Sequence, residues 1–474
     1  MTGEERIWQI VERYKTWQSG QRGLMADYAH AFQTEISEII AQLQQDWPLS
    51  GYKLSSASSK DQWKVILKSL FKPASSSTPD IAGGHAADVR LIFVVEFNSH
   101  LNQLRPLITI LKKRNISYAV FFLSKDLYEN KGAEFGHAFI IRANGNLKIR
   151  LQYIFLNFRA VCSLLYRFGK TVNQGIFLRA LAFLNAKRLY IWLAMRREFS
   201  AWLDQMPVHA PVVFFKAEGS LTRGFMQICR QNNRRIFAVQ HGWISKEIKY
   251  HALLPDAYLV WSAFFADTLN ASGAGCPAKI CGCPAYDQVF EVAAQQRSQS
   301  AEPLTLLFLP NSGLSQTPFS EVNWAIECCL LYLQQHPTTR LIVKPHPGDH
   351  TRRIEAIIRN NTQPDQIECL ENNAPIPYDA CHIVVTMNST VGLEAAIYQK
   401  PLVILLSEEK YLLTPEYLQT GYARWVQDQE ELETTILDMR MHYPRYQEKC
   451  RQFVNTQLAF PGKAAEKIVE TLLC

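Results

Sequence analysis

From Val89 onward the chain alternates between short, uninterrupted apolar runs and longer segments with apolar residues three to four positions apart. The run VRLIFVVEF reads as a buried strand, NSHLNQLRPLITILKKR as a helix after a turn, and ISYAVFFL as a second strand. Strand, helix and strand in that succession make a parallel sheet covered by helices. The unit recurs in PVVFFK (211–216), the helix SLTRGFMQICRQN, RIFAVQ (235–240), DAYLVWS (256–262), the helix AFFADTLNASGA and the short strand AKICG (278–282). After the polar, helix-prone stretch PAYDQVFEVAAQQRSQSAEP the alternation restarts. LTLLFLP (304–310), EVNWAIECCLLYLQQH, TRLIVKPHP (339–347), HIVVTMNS (382–389), TVGLEAAIYQ and PLVILL (401–406) follow one another as strand and helix. Helices from Glu430 to Cys474 are expected to cover the outside.

Ahead of this region, residues 1–70 carry helical spacing in IWQIVERY and FQTEISEIIAQL, and KPASSSTPDIAGGHAAD (72–88) has the composition of a loop. Three regions result: 1–88 as a helical extension and linker, 89–285 as an N-terminal Rossmann-like domain, and 286–474 as a C-terminal one. The expected class is α/β, with two parallel-sheet domains facing a central cleft. A length of 474 residues accommodates that division.

Composition narrows the class without naming a function. With 47% hydrophobic and 20% charged residues, the chain is neither disordered nor fibrous. Its eleven cysteines include Cys281 and Cys283 one residue apart and Cys328 beside Cys329, spacings that fit no zinc knuckle. They read as buried reduced thiols of a cytoplasmic protein, with no metal expected. The start MTGEERIWQIVERYKTW lacks the apolar core of a signal peptide, and no window reaches the ~18 apolar residues of a membrane span. The net charge of +7 is uneven: from Lys148 to Arg197 there are bases and no acid, interleaved with Leu, Phe, Tyr and Trp. Two readings stay open for 148–197. It is a peripheral basic surface that sits on anionic lipid at the inner face of the cell membrane or binds an anionic acceptor, or a pair of packed helices whose bases reach water. No nucleic-acid motif is present, so nucleic acid is not an expected partner.

In open parallel sheets, ligands bind at strand carboxyl ends and helix N-termini. Four such places combine polar and small residues. In MNSTVGLEAA, Ser389 and Thr390 precede a helix, Gly392 permits close approach, and Glu394 lies one turn in, which suits a phosphate with a ribose beside it; a plain Ser/Thr cap uses the same residues. In KPHPGD, His346 stands between two prolines after a strand, placed to offset charge on a leaving phosphate, with Lys344 beside it. In VQHGW, His241 precedes Gly242 at a strand end, as a base, an acid or an acceptor ligand. In KAEGSLTRG, Glu218 suits a general base or nucleophile, or merely an acid that complements a helix dipole. Two weaker turns are LPNSG, whose Asn311 and Ser312 face the donor side, and EFNSH, whose Glu96 and His100 face the acceptor side. The chain has no GxGxxG, GxxxxGK[ST] or HExxH and no loop DxD, which argues against a dinucleotide, ATP or obligate-metal mechanism.

Gln240-His241-Gly242, DAYLVWSAFFADTL, GCPAYD, KPHP and NSTVGLEA together resemble the GT-B glycosyltransferases of bacterial surface-polysaccharide synthesis. Capsule and lipooligosaccharide sialyltransferases and Kdo transferases are the most similar groups. Their His-Pro motif matches His346-Pro347 and their Ser/Thr pair matches Ser389-Thr390. Their acidic motif matches only in part, since Ala217 precedes Glu218-Gly219. The resemblance spans roughly 89–470 and implies a nucleotide-sugar donor in the C-terminal half, favoured as CMP-linked, with no separate cofactor. It implies a glycan or glycolipid acceptor in the N-terminal half, with His346, Ser389 and Thr390 on the leaving phosphate, Glu394 on the ribose or base, and Glu218 or His241 as base. Three alternatives stand beside it: transfer of a polyol phosphate from a CDP-activated donor, a UDP-sugar 2-epimerase, and a non-catalytic subunit of a polysaccharide-assembly complex.

Overall fold

In the computed structural model, the described residues are 88–141, 195–196, 198–217, 220–244, 255–295, 303–310, 319–345, 354, 364–371, 374–387, 389–409 and 415–474. The expected helical extension, most of the basic stretch 148–197, and Glu218, Asn311, Ser312 and His346 lie outside them.

The first apolar run forms strand β1 (Leu91–Val95), followed by helix α1 (Asn98–Lys113) and strand β2 (Tyr118–Phe122). Every residue of β1 and β2 is buried, as helices on both faces of a parallel sheet require. Helix α2 (Lys125–Lys131) leads to β3 (Ala138–Ile140). The chain continues through β4 (Val212–Phe214), α3 (Ser220–Gln231), β5 (Ile236–Val239), β6 (Ala257–Val260), α4 (Ala263–Ala271) and β7 (Ala278–Ile280). These seven strands form one parallel sheet in the order β3-β2-β1-β4-β5-β6-β7.

Helix α5 (Asp287–Ala294) then precedes β8 (Thr305–Leu309), α6 (Phe319–Gln335), β9 (Arg340–Val343), β10 (Ile367–Cys369), β11 (Ile383–Thr386), α7 (Val391–Ile397), β12 (Leu402–Leu405) and β13 (Ala423–Val426). The second sheet is also parallel, in the order β10-β9-β8-β11-β12-β13. Strand order reverses between β1 and β4 in one sheet and between β8 and β11 in the other. Those are the switch points where open sheets bind ligands.

Every strand read from the sequence is present. The three that the pattern did not reveal, β3, β10 and β13, are sheet edges. None is a run of buried residues: β3 is apolar but only three residues long, and Glu368 and Arg424 interrupt β10 and β13.

The chain divides into two compact units. The first takes in residues up to Val260, Phe265–Cys281 and Ala465–Cys474; the second takes in Trp261–Phe264 and Gly282–Ala464. At the entry to the second unit, Gly282 has φ +82, and a Cβ there would meet the Ala459 carbonyl oxygen and lie 2.7 Å from Ala464 Cβ. Only glycine fits both the dihedral and the space.

The closing helices α8 (Gln429–Met441), α9 (Tyr443–Gln457) and α10 (Ala464–Leu473) require one correction. Helix α10 does not merely cover the outside. Ala465, Ile468, Val469 and Leu472 join Leu91, Phe93, Val95 and Leu107 in the core of the first unit. Their three-to-four spacing gives the helix an apolar stripe that this core buries. Arg114, after α1, donates to Glu466 at 2.7 Å at the rim.

All described cysteines are unbridged, and all but Cys369 and Cys474 are buried. Among the described residues no helix is long and apolar enough to cross a membrane.

Candidate functional site

Two polar clusters stand at strand carboxyl ends, one in each unit. In the first, Glu96 is the residue after β1, and Lys216 follows β4 by two. Parallel pairing sets Val94 opposite Phe214, so the same register sets Glu96 opposite Lys216. Lys216 Nζ lies 2.9 Å from Glu96 Oε2, with about a sixth of each side chain exposed. Thr222 in α3 donates its hydroxyl to the same oxygen at 3.1 Å.

The backbone N–H of Glu96 donates to His100 Nδ1 at 3.3 Å. That bond makes Nδ1 an acceptor, so the neutral ring carries its proton on Nε2. His100 is 1% exposed, and its ring lies against Phe215, Phe97 and His241. Burial, with His241 and Lys216 nearby, pushes its pKa down to about 2. His241, after β5, meets His100 edge-on at 4.9 Å between ring centroids. Its Nε2 is 3.2 Å from the exposed hydroxyl of Ser99. Burial and then Lys216 lower its pKa too. Both rings are therefore neutral near pH 7. Among the described residues, His100 Nε2 and His241 Nδ1 are buried without a hydrogen-bond partner.

The structure thus brings Glu96, His100 and His241 together, although they were read from two separate turns. It adds Lys216, Thr222 and Ser99, which sequence reading passed over. The available signal was positional: Glu96 and Lys216 are the first charged residues after two adjacent strands. His100 faces inward, behind His241, and is not open to an acceptor as expected.

In the second unit, Thr386 ends β11 and donates its hydroxyl to Leu309 O at 2.9 Å, joining the two strands of the switch point. Ser389 is half-buried, and its Oγ accepts from Val391 N at 3.4 Å. Thr390 is exposed and its side chain makes no capping bond, so only Ser389 caps α7 as the pair was expected to do. The turn is held from below by tyrosines. Tyr417 donates to Ser389 O and Tyr422 to Gly392 O, each at 3.1 Å. Gly392 is needed there, since a Cβ would lie 2.6 Å from the Tyr417 ring and 2.9 Å from Leu402 Cδ2.

Glu394 accepts from Tyr378 OH at 3.1 Å, and Tyr378 stacks on Tyr398 at 4.7 Å. Burial raises the Glu394 pKa, opposed by the Tyr378 hydrogen bond and by Lys344. Lys344 is buried and donates to Pro345 O at 3.1 Å. The structure therefore places Lys344, Ser389, Thr390 and Glu394 in one unit and Glu96, His100 and His241 in the other. Among the described residues no three His, Cys, Asp or Glu side chains converge as metal ligands.

Comparison with solved structures bears on this architecture. UDP-GlcNAc 2-epimerase from Neisseria meningitidis, bound to UDP-GlcNAc, superposes with a TM-score of 0.53 at 14% identity, covering 81% of this chain and 99% of that one. UDP-GlcNAc 2-epimerase from Methanocaldococcus jannaschii gives 0.51 at 13% identity, over 81% and 99%. The fold is GT-B-like. At such identity the likeness extends to the fold alone. Residues 317–407 match the family described as capsule polysaccharide biosynthesis protein. That segment contains Lys344, His346, Ser389, Thr390 and Glu394 and none of the first-unit cluster. No curated protein matches the chain.

Proposed function

We propose that the chain is a glycosyltransferase of surface-polysaccharide synthesis, moving a sugar from a nucleotide-activated donor to a glycan or glycolipid acceptor. The observation that carries this reading is the coincidence, within the capsule-family segment, of the Ser389-Thr390 turn and half-buried Glu394 beside the second sheet's switch point. In this reading the donor's phosphates lie on Ser389, Thr390, Lys344 and His346, with Asn311 and Ser312 beside them and Glu394 on the ribose or base. The acceptor belongs to the first unit, where Glu218 or His241 removes a proton from its hydroxyl. Neutral His241 is suited to that work at pH 7. The resemblance of His346-Pro347 and Ser389-Thr390 to sialyltransferase motifs favours a CMP-linked donor of sialic acid or Kdo type.

A thermal-shift panel with CMP, CDP, UDP, GDP and ADP tests the reading, with Thr390→Ala and His346→Ala alongside. A nucleotide at a hundred times its Kd stabilises the folded state by about 2.7 kcal/mol. Stabilisation by CMP, lost in both variants, is expected, together with CMP release that depends on added acceptor. A CDP preference with phosphorus in the product would replace the sugar by a polyol phosphate. A UDP preference with turnover of UDP-GlcNAc in the absence of acceptor would replace transfer by epimerisation. No response to any nucleotide would leave a non-catalytic subunit.

A further inference from the structure

At the carboxyl edge of β1, β4 and β5, the described charges cancel. Glu96 is matched by Lys216 at 2.9 Å, and both neighbouring histidines are neutral. An acidic ligand would find Lys216 already engaged and the Glu96 carboxylate close by.

The groups that face outward suit a different ligand. Phe97 is 47% exposed, an unusual place for an aromatic ring. It is held by Lys216 Nζ at 4.3 Å from the ring centroid and by the edge of His100 at 5.3 Å. Two positions on, the exposed Ser99 hydroxyl rests 3.2 Å from His241 Nε2. That contact shows what the accessible nitrogen of His241 accepts or donates to: an uncharged hydroxyl. Its other ring nitrogen is buried without a partner. An aromatic face beside a neutral hydrogen-bonding imidazole offers one surface to C–H groups and another to O–H groups, the two surfaces of a pyranose.

We propose that this edge is a binding site for an uncharged sugar unit, its ring against Phe97 and one of its hydroxyls on His241 Nε2 in place of the Ser99 hydroxyl. The inference rests on the assignment of the acceptor to the first unit and makes that acceptor's terminal sugar neutral. Glu96 and Lys216 hold the edge and reject acids through their balance. Removing the carboxylate reverses the preference, because it leaves an ammonium without a counter-ion.

Saturation-transfer NMR on the full chain tests this. The probes are the methyl glycosides of glucose, galactose, mannose and N-acetylglucosamine, with the methyl glycosides of glucuronic acid and sialic acid as the acidic set. At least one neutral glycoside should bind. Its affinity should fall about fivefold or more in Phe97→Ala at unchanged melting temperature. The acidic glycosides should bind only to Glu96→Gln. Binding of acidic probes to the native chain, binding unaffected by Phe97→Ala, or no neutral binder among the four would overturn the proposal. CMP and UDP titrations on the same samples separate the two readings. A chain that binds a neutral glycoside and no nucleotide keeps this site and loses the transferase; a chain that binds nucleotide and no glycoside loses only the site.

Discussion

Lys216 Nζ stands 2.9 Å from Glu96 Oε2, tying the carboxyl ends of β1 and β4 together where the first sheet reverses its strand order. Each partner satisfies a charge that has left most of its water. Removing one leaves the other uncompensated, whereas removing both leaves two polar or apolar side chains of similar size.

Lys216→Met should therefore destabilise the chain by about 2 kcal/mol, below the 3–5 kcal/mol of fully buried pairs because both ends keep some water. The double variant Lys216→Met with Glu96→Gln should recover most of that loss. Urea midpoints of the native chain, both single variants and the double close the cycle. Additive losses would mean that the pair has no coupling.

His100 ties stability to pH. Its pKa falls from 6.5 to about 2 on folding, through burial first and then His241 and Lys216. Below pH 6.5 the unfolded chain takes a proton that the folded chain refuses. Stability from this residue is thus complete above 6.5 and lost as pH falls through the window toward 2. Between pH 7.5 and 5.5 the loss is about 1.4 kcal/mol. His100→Asn keeps a side-chain acceptor and does not titrate, so its stability should fall by that much less over the same interval. Denaturant midpoints at the two pH values decide it, and identical slopes in both proteins would contradict the neutral buried ring.

Gly392→Ala sets two effects against each other. Alanine is the better helix former by about 1 kcal/mol. The added methyl, though, would lie 2.6 Å from the Tyr417 ring and 2.9 Å from Leu402 Cδ2. Overpacking of that kind costs about 1–3 kcal/mol, and Tyr417 is fixed by its bond to Ser389 O. The variant should melt at a lower temperature than the native chain. It should also bind the stabilising nucleotide more weakly, since the turn carrying Ser389 must move.

Much of the fold was legible because its central strands are runs such as LIFVV and LVIL, which nothing but a doubly covered sheet can bury. Three edge strands were not, because β3 and β10 are three residues long with none fully buried and β13 mixes buried and exposed positions. The candidate site was legible only where polar residues follow a strand in sequence, as Glu96, His241 and Ser389 do. Tyr378, Tyr417 and Tyr422 escaped because each reaches the turn from another segment, and nothing in their own neighbourhoods points there. Lys216 was within view but gained meaning only when the β1–β4 register set it opposite Glu96.

Helix α10 imposes an order on biosynthesis. The first unit's core includes Ile468, Val469 and Leu472, which the ribosome delivers only after the whole of the second unit. While residues 282–464 are being made, the first sheet waits with part of its apolar interior open to water, a state in which nascent chains call on chaperones. The unit translated first is therefore the one finished last.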